Sequence, residues 1–240
     1  MSFMRNIRSQ LFLRSSIPNL AIFRILFGGV MFYELGRLIW LDLGTLLYIT
    51  PSFHFKYPFF EFVDTFPDTI MYGIFYAGTL LSVFFIVGFL FRITSVLLFA
   101  VYTYLFLLDP SYWNNHFYFY VLMLFLFMIT DSNRHLSIDK KLFKLPNTIP
   151  AWQLYLFIFQ VCVVYFYGGL SKCMNADWLN NTSAFNILFN RFEVLEISIT
   201  ETSLKAFSLF ITYSGLIFDM SIAFILLWKR SLLPLFFYMF

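Results

Sequence analysis

Residues 109–129 read DPSYWNNHFYFYVLMLFLFMI, so an acid, two amides and an imidazole come directly before an almost wholly apolar run. A second apolar run ends just before Asp109. Two long apolar runs joined by a short polar stretch are typical of membrane helices that turn at the membrane surface. The stretch therefore predicts a helical hairpin within a membrane protein.

The composition of the whole chain agrees with this prediction. Of its 240 residues, 60% are hydrophobic and 12% are charged, and the mean hydropathy is +0.78, whereas about a quarter of the residues in a soluble domain are charged. Six apolar runs are predicted as spanning helices: about 18–40, 69–91, 93–108, 117–130, 151–170 and 206–228. We predict an all-α, multi-pass transmembrane helical bundle that forms a single domain over residues 1–240.

A seventh apolar run lies at the end of the sequence. It begins at Ser231 and reaches Phe240, so it has about half the length that a spanning helix needs. We expect it to be a truncated seventh helix or a segment that lies at the membrane interface.

Basic residues are distributed unevenly between the two sets of loops. One set contains Arg5, Arg8, Arg14, Arg92, Arg134, Lys140, Lys141, Lys144, Lys229 and Arg230. The other contains Lys56, Lys172, Arg191 and Lys205. Because cytoplasmic loops are rich in lysine and arginine, we predict that the first set and the N-terminus are cytoplasmic. The loops at 41–68, 109–116 and 171–205 then share the opposite side. The membrane is expected to be that of the endoplasmic reticulum in a eukaryote, or the inner or plasma membrane in a bacterium.

Three ionisable residues fall inside the predicted spans, where a charge is costly unless it is paired. They are Arg24, Glu34 and Asp219. Glu34 and Arg37 are three residues apart and can pair along one helix, and Arg24 and Asp219 can pair between helices. We expect these residues to form structural salt bridges, with anion or substrate binding as the alternative.

Lys172 and His116 are the candidates for proton chemistry. Lys172 follows two glycines at the end of the fifth run, and either its ammonium extends to the lipid headgroups or it lies in a dry pocket, where it becomes a usable base. His116 either forms hydrogen bonds at the start of the fourth helix or assists proton transfer. Asn114 or Asn115 is expected to cap that helix.

Other motifs provide little support for further sites. The chain contains no GxGxxG, P-loop, CxxC or HExxH sequence, so dinucleotide, phosphate and zinc sites lack their usual signatures. We predict no metal site and no nucleic-acid partner. His54 and His135 lack the polar neighbours of His116, so neither is predicted to be a site residue.

Several motifs follow one another in a distinctive order. They are Phe23-Arg24-Ile25-Leu26-Phe27-Gly28, Phe106-Leu107-Leu108-Asp109, Trp113-Asn114-Asn115-His116, Asp131-Ser132-Asn133, Gly169-Leu170-Ser171-Lys172, Ala176-Asp177-Trp178 and Leu216-Ile217-Phe218-Asp219. This set resembles the vitamin K-dependent gamma-carboxylase and its bacterial relatives, the horizontally transferred transmembrane domain (HTTM) family. The resemblance covers nearly the whole chain, and its most specific part is WNNH together with a lysine shortly before ADW.

The resemblance implies an enzyme that uses vitamin K hydroquinone, O2 and CO2 to convert protein glutamate to gamma-carboxyglutamate, with vitamin K epoxide as the second product. Lys172 corresponds to the base that deprotonates the hydroquinone, and His116 to a histidine that supports proton abstraction. The implied quinone pocket includes Asp109, Trp113, Asn114 and Asn115. Since water would quench the strongly basic intermediate, the site must be closed and apolar. The implied partners are membrane lipid, the quinone and a glutamate-containing protein or peptide on the non-cytoplasmic side.

The sequence also departs from the family pattern. One extra residue lies between Lys172 and the ADW motif, and we expect the chain to lack the C-terminal helices and the lumenal domain of the family enzyme. Two other functions therefore stay open: a non-enzymatic module that binds a quinone or lipid, and a quinone-linked electron-transfer subunit that resembles the small DoxX-like membrane proteins.

Overall fold

The computed structural model describes residues 11–112, 114–195 and 199–228. Within these residues the fold is mainly helical, as predicted. The α-helices in chain order are α1 (Pro18–Trp40), α2 (Asp68–Val87), α3 (Phe91–Leu108), α4 (Asn115–Ile129), α5 (Ile138–Phe143), α6 (Trp152–Met174), α7 (Ala176–Leu179), α8 (Thr182–Val194) and α9 (Glu201–Trp228). Two short strands, β1 (Arg14–Ser15) and β2 (Ile149–Pro150), pair antiparallel.

The six predicted apolar runs correspond to the six long helices α1, α2, α3, α4, α6 and α9. Among the described residues, three helices are long and apolar enough to cross a membrane: Asp68–Val87, Phe91–Leu108 and Trp152–Met174. The apolar helix α4 has 15 residues and is shorter than that. The helices are therefore confirmed in type and place, while the predicted number of six spans stays a prediction. The run from Ser231 to Phe240 lies outside the described residues.

Local capping chemistry moves several helix boundaries from their predicted positions. Helix α2 ends early because Gly88 adopts a left-handed conformation with φ of 63°, which favours glycine. The carboxylate of Asp139 then accepts the backbone N–H groups of Leu90 and Phe91 at 2.7 and 2.8 Å, so α3 begins directly after the turn. Helix α9 begins at Glu201 rather than 206 because the Thr200 hydroxyl accepts the N–H of Ser203 at 3.3 Å, as an N-cap does.

The structure divides into two compact units, and the boundary falls between Leu156 and Phe157 within α6. In the N-terminal unit, α1 packs on α2, α2 on α3, and α3 on α4. The completely buried side chains at these contacts include Met31, Phe75 and Phe127. Gly28 permits the close approach of α1 and α2, because a Cβ at that position would lie 2.6 Å from Ile86 Cγ1.

Arg24 of α1 is completely buried in the N-terminal unit, and its guanidinium binds backbone carbonyls. Nη1 donates to Ser132 O at 3.0 Å, while Nη2 donates to Leu136 O at 2.6 Å and to Ile86 O at 3.3 Å. Within this unit the acceptors of Arg24 are main-chain carbonyls rather than the carboxylate of the expected salt bridge. The planar guanidinium offers five N–H donors, and the segment after α4 supplies carbonyl acceptors that no helix uses.

In the C-terminal unit, α7 packs on α8 and α8 packs on α9. Asn181, directly before α8, is buried in a left-handed conformation. Its amide nitrogen donates to Ser208 Oγ at 2.7 Å, and its amide oxygen accepts from Thr212 Oγ1 at 2.8 Å. These two bonds join the start of α8 to α9.

Candidate functional site

Lys172 lies in the last turn of α6 and contacts a carboxylate of α9 within the C-terminal unit. Its Nζ donates to Asp219 Oδ2 at 2.6 Å. The Lys172 side chain is 33% exposed and that of Asp219 is 13% exposed. Two of the predicted site residues are thus brought together, and Asp219 forms a salt bridge, as predicted for it.

Gly169 explains why α6 and α9 approach so closely at this point. A Cβ on Gly169 would lie 2.9 Å from Met220 Sδ and 3.2 Å from Asp219 Cβ. Gly169 precedes Lys172 by three residues, so both lie on the same face of α6. Gly168 has a different environment, because beyond its own stretch of helix no described residue would have an atom within 4 Å of a Cβ there. Of the two glycines before Lys172, the second is therefore required by packing.

An aromatic ring lies close to the Lys172 ammonium. Nζ lies 5.3 Å from the centre of the Trp178 ring, within the range of a cation–π interaction. The position of Trp178 follows from a turn that Asn175 caps: its Oδ1 accepts the N–H groups of Asp177 at 2.8 Å and of Trp178 at 3.4 Å. The ADW motif thus begins a helical turn and places its tryptophan beside the lysine.

His116 is exposed in the first turn of α4. Asn114 Oδ1 accepts the backbone N–H of His116 at 2.8 Å and lies 2.7 Å from its Nδ1. The predicted cap is therefore confirmed, and Asn114 provides it. Asn115 is also exposed, and Trp113 lies outside the described residues. A catalytic role for His116 stays a prediction.

Asp109 has a partner that the sequence did not suggest. Asp109 and His54 are both 6% exposed, and Oδ2 of Asp109 lies 3.2 Å from Nδ1 of His54. Burial alone would raise the pKa of Asp109, but hydrogen bonds from Ser111 and then from His54 outweigh that effect, so the pKa lies below its ordinary value. The prediction that His54 lacks polar neighbours is therefore wrong. The sequence did not reveal this partner because 55 residues separate the two side chains.

The two ring nitrogens of His54 both face acceptors. Nδ1 faces the Asp109 carboxylate, and Nε2 lies 3.2 Å from Tyr48 O. Both contacts are hydrogen bonds only when the ring carries two N–H groups, because carboxylate and carbonyl oxygens cannot donate. When Nδ1 carries a hydrogen, His54 donates to Asp109 Oδ2 and holds this carboxylate in a defined orientation.

A cavity adjoins Asp109 in the N-terminal unit, between the C-terminal ends of α1 and α3 and the short π-helical turn at Thr45–Ile49. Its polar lining residues are Glu34, Arg37, Tyr48, Tyr102, Asp109 and Tyr112. Among the predicted pocket residues that the structure describes, Asp109 lines this cavity, whereas Asn114 and Asn115 are exposed. The sequence did not predict the three tyrosines, because lipid-facing and interfacial residues account for most tyrosines in such a chain.

The predicted pair of Glu34 and Arg37 is confirmed and lies in the wall of this cavity. Arg37 Nη2 is 2.7 Å from Glu34 Oε2, and the guanidinium lies 5.7 Å from the centre of the Phe117 ring. Arg37 Nε is buried and has no hydrogen-bond partner among the described residues. Burial and the neighbouring Tyr112 raise the pKa of the Tyr48 phenol, so its hydroxyl stays protonated.

Comparison with known families gives one match that covers most of the chain. The family model described as the HTTM domain matches residues 13–240. The matched range includes the Lys172–Asp219 pair and the Asp109 cavity. No solved structure matches the chain.

Proposed function

Because this chain belongs to the HTTM domain family, we propose that it is a membrane-embedded enzyme that resembles gamma-glutamyl carboxylase. It uses vitamin K hydroquinone with O2 and CO2, and it converts glutamate side chains of a protein to gamma-carboxyglutamate while the quinone becomes an epoxide. The observation that carries the proposal is the 2.6 Å contact between Lys172 Nζ and Asp219 Oδ2. It places an amine beside a proton acceptor on two apolar helices.

The proposed roles follow from this contact. Lys172 Nζ takes a proton from a hydroxyl of the quinol, after the amine has passed its own proton to Asp219 Oδ2. The reduced quinone supplies the electrons that reduce O2. A reaction with strongly basic species needs water to be excluded, and the Trp178 ring covers one side of the Lys172 ammonium.

His116 is proposed to support removal of the glutamate hydrogen. Because its Nδ1 faces the amide oxygen of Asn114, Nδ1 carries the hydrogen and Nε2 is the nitrogen that can accept a proton. Asn114 is then a positioning residue that sets the tautomer of His116. By the family resemblance, Trp113 and Asn115 are also proposed to take part in binding the quinone.

The proposal is tested with the whole chain reconstituted in lipid nanodiscs. Vitamin K hydroquinone, O2, CO2 and a glutamate-containing peptide are supplied, and vitamin K epoxide is measured by chromatography. Wild-type protein is expected to form epoxide, and Lys172→Ala to form none while it still inserts into the membrane. Lys205→Ala is the matched control, because Lys205 is an exposed lysine on α9. Undiminished epoxide formation by Lys172→Ala would remove the proposed base.

A non-enzymatic module that binds a quinone or lipid is the second candidate. The observation in its favour is the exposed position of His116, whose ring is held by the helix cap at Asn114. This function predicts that quinone binds and that no epoxide forms in the same assay. An electron-transfer subunit would instead turn over quinone without carboxylating the peptide.

A further inference from the structure

Residues 51–67, which we call the aromatic loop, lie between the π-helical turn at Thr45–Ile49 and α2 and contain no helix or strand. The loop has six phenylalanines, and all of them are exposed: Phe53, Phe55, Phe59, Phe60, Phe62 and Phe66. Soluble proteins rarely expose large apolar patches unless another surface covers them. The aromatic loop therefore presents a surface that favours an apolar environment.

The opposite side of the aromatic loop is fixed to α3. The ring of Tyr57 stacks on that of Phe106, with the ring centres 5.6 Å apart. The hydroxyl of Tyr104 donates to Asp64 O at 2.9 Å. Because Tyr57 and Asp64 are held on the same helix, the residues between them have a defined place in the N-terminal unit.

These contacts also set the depth of the aromatic loop. Helix α3 has 18 residues, so it is about 27 Å long and crosses a hydrocarbon core of about 30 Å only when its last turns lie in the membrane. Tyr104 lies about 6 Å before the end of α3 at Leu108. The loop thus lies beside the last turns of α3, at the level where the membrane meets water.

The charged side chains of the aromatic loop are bonded within the loop itself. Lys56 Nζ donates to Val63 O at 2.6 Å and to Asp64 Oδ1 at 3.2 Å. Glu61 Oε1 accepts the backbone N–H of Phe59 at 3.1 Å. Such bonds lower the cost of placing charges next to lipid. The side chain of Asp64 remains 75% exposed, which suits the polar headgroup region rather than the hydrocarbon core.

The backbone at the tip of the aromatic loop needs little water. The N–H of Phe60 donates to Tyr57 O at 3.0 Å, and the N–H of Val63 donates to Phe60 O at 3.0 Å. Pro58 carries no N–H group. Because an unsatisfied backbone group is costly in lipid, these turns suit a segment that lies in the membrane surface.

Phe59 has an unusual backbone conformation for its size. Its φ is 71°, which is rare for a bulky residue and far easier for glycine or asparagine. Its side chain is also 88% exposed, so no packing within the described residues compensates for the strain. An apolar contact outside the chain would explain why a phenylalanine occupies this turn.

We propose that the aromatic loop is a membrane anchor that lies in the lipid–water interface and inserts Phe59 and Phe62 among the lipid chains. Exposed apolar side chains continue along the chain from Phe62 through Phe66 to Ile70 in the first turn of α2. The loop surface therefore continues into the surface that a spanning α2 turns towards lipid. The anchor goes beyond the proposed carboxylase activity and does not depend on it.

Spin labels on the whole chain in nanodiscs test this anchor. Cys162 and Cys173 are first replaced by alanine and serine, and Phe59→Cys or Phe62→Cys then carries a nitroxide. Collisions of the label with O2, which enters lipid, are compared with collisions with a water-soluble nickel chelate. We expect O2 to collide more than the chelate at both positions, as it should for Tyr76→Cys in α2. The exposed Lys141→Cys is the aqueous control and should show the reverse order.

A second pair of variants separates lipid contact from backbone strain. Aspartate adopts the left-handed conformation more readily than leucine, whereas lipid favours leucine over aspartate. With the label at position 62, Phe59→Asp is expected to reverse the order of the two reagents, because burying a phenylalanine favours the inserted loop roughly 10- to 150-fold. Phe59→Leu should keep the order of the parent protein. Circular dichroism checks that every variant keeps its helices.

Each other result would overturn the anchor. More collisions with the chelate than with O2 at positions 59 and 62 would place the loop in water, where its phenylalanines can serve a protein partner. Few collisions with either reagent would show that protein covers the loop, such as a second copy of this chain. Equal effects of Phe59→Asp and Phe59→Leu at position 62 would show that the side chain of Phe59 does not hold the loop in lipid.

Discussion

Replacing Gly169 by alanine tests whether the contact between Lys172 and Asp219 depends on the close approach of α6 and α9. The new Cβ would lie 2.9 Å from Met220 Sδ and 3.2 Å from Asp219 Cβ, whereas carbon atoms prefer a separation of about 3.5–4.0 Å. The side chain of Met220 can rotate away, but the Cβ of Asp219 moves only with the backbone of α9. The carboxylate is therefore expected to shift by about 0.3–0.8 Å.

The neighbouring glycine provides a matched control for this change. Beyond its own stretch of helix, no described residue would have an atom within 4 Å of an alanine Cβ at position 168, so Gly168→Ala is expected to raise the free energy of unfolding by about 0.5–1 kcal/mol. Gly169→Ala has the same helical gain but adds an overpacking cost of about 1–3 kcal/mol. Its free energy of unfolding should therefore lie about 1–3 kcal/mol below that of Gly168→Ala.

Both consequences of the substitution can be measured. The free energy of unfolding is obtained by adding SDS to the detergent-solubilised protein while circular dichroism follows the helices. A 1 Å displacement of a reacting group lowers the reaction rate about 100-fold. Because the expected shift is about half an ångström, epoxide formation by Gly169→Ala is expected to fall about tenfold. Equal stabilities of the two alanine variants, or unchanged epoxide formation by Gly169→Ala, would refute the reasoning.

Three further predictions concern the other charged groups. Asp219→Asn removes the proton acceptor beside Lys172, so epoxide formation should fall at least about 100-fold in the nanodisc assay while quinone binding persists; a smaller loss would contradict the proposed transfer. Because the pKa of Asp109 is lower in the folded protein, its stabilising contribution is present above the ordinary value of 3.8 and is lost as the pH falls through the lower folded value. Between pH 6 and pH 2, SDS unfolding should show a larger loss of stability for the wild type than for Asp109→Asn, because the other carboxylates titrate in both proteins. Arg24→Ala leaves the carbonyls of Ser132 and Leu136 without their donor and should lower the free energy of unfolding by about 3–6 kcal/mol. Arg14 is exposed, so the control Arg14→Ala should have little effect on the free energy of unfolding.

Features of the fold that depend on local sequence could be predicted. Apolar runs predict helices because the hydrocarbon core imposes a length, and the six long helices lie at the predicted places. Glu34 and Arg37 form the predicted pair since residues three apart meet on a helix. The cap at Asn114 follows in the same way from its place before an apolar run.

Contacts between distant residues could not be predicted from one sequence. The sequence suggested Arg24 as the partner of Asp219, whereas the carboxylate of Asp219 accepts from Lys172, which is 47 residues away in the chain. His54 and Asp109 meet although 55 residues separate them. Arg24 binds main-chain carbonyls, which every residue carries, so residue type gave no signal for these acceptors.

The hydrogen bonds of Arg24 also have a consequence for the order of events during synthesis. Its contacts with Ser132 and Leu136 join groups that are 108 and 112 residues apart in the chain. A ribosome that adds about 5–20 residues per second needs roughly 5–22 s to cover that distance, and until then the guanidinium of Arg24 lacks these carbonyl acceptors. We therefore expect α1 to hold its final position only after the segment beyond α4 has emerged, so that nascent chains arrested before residue 132 are more easily extracted from the membrane than chains arrested after residue 150.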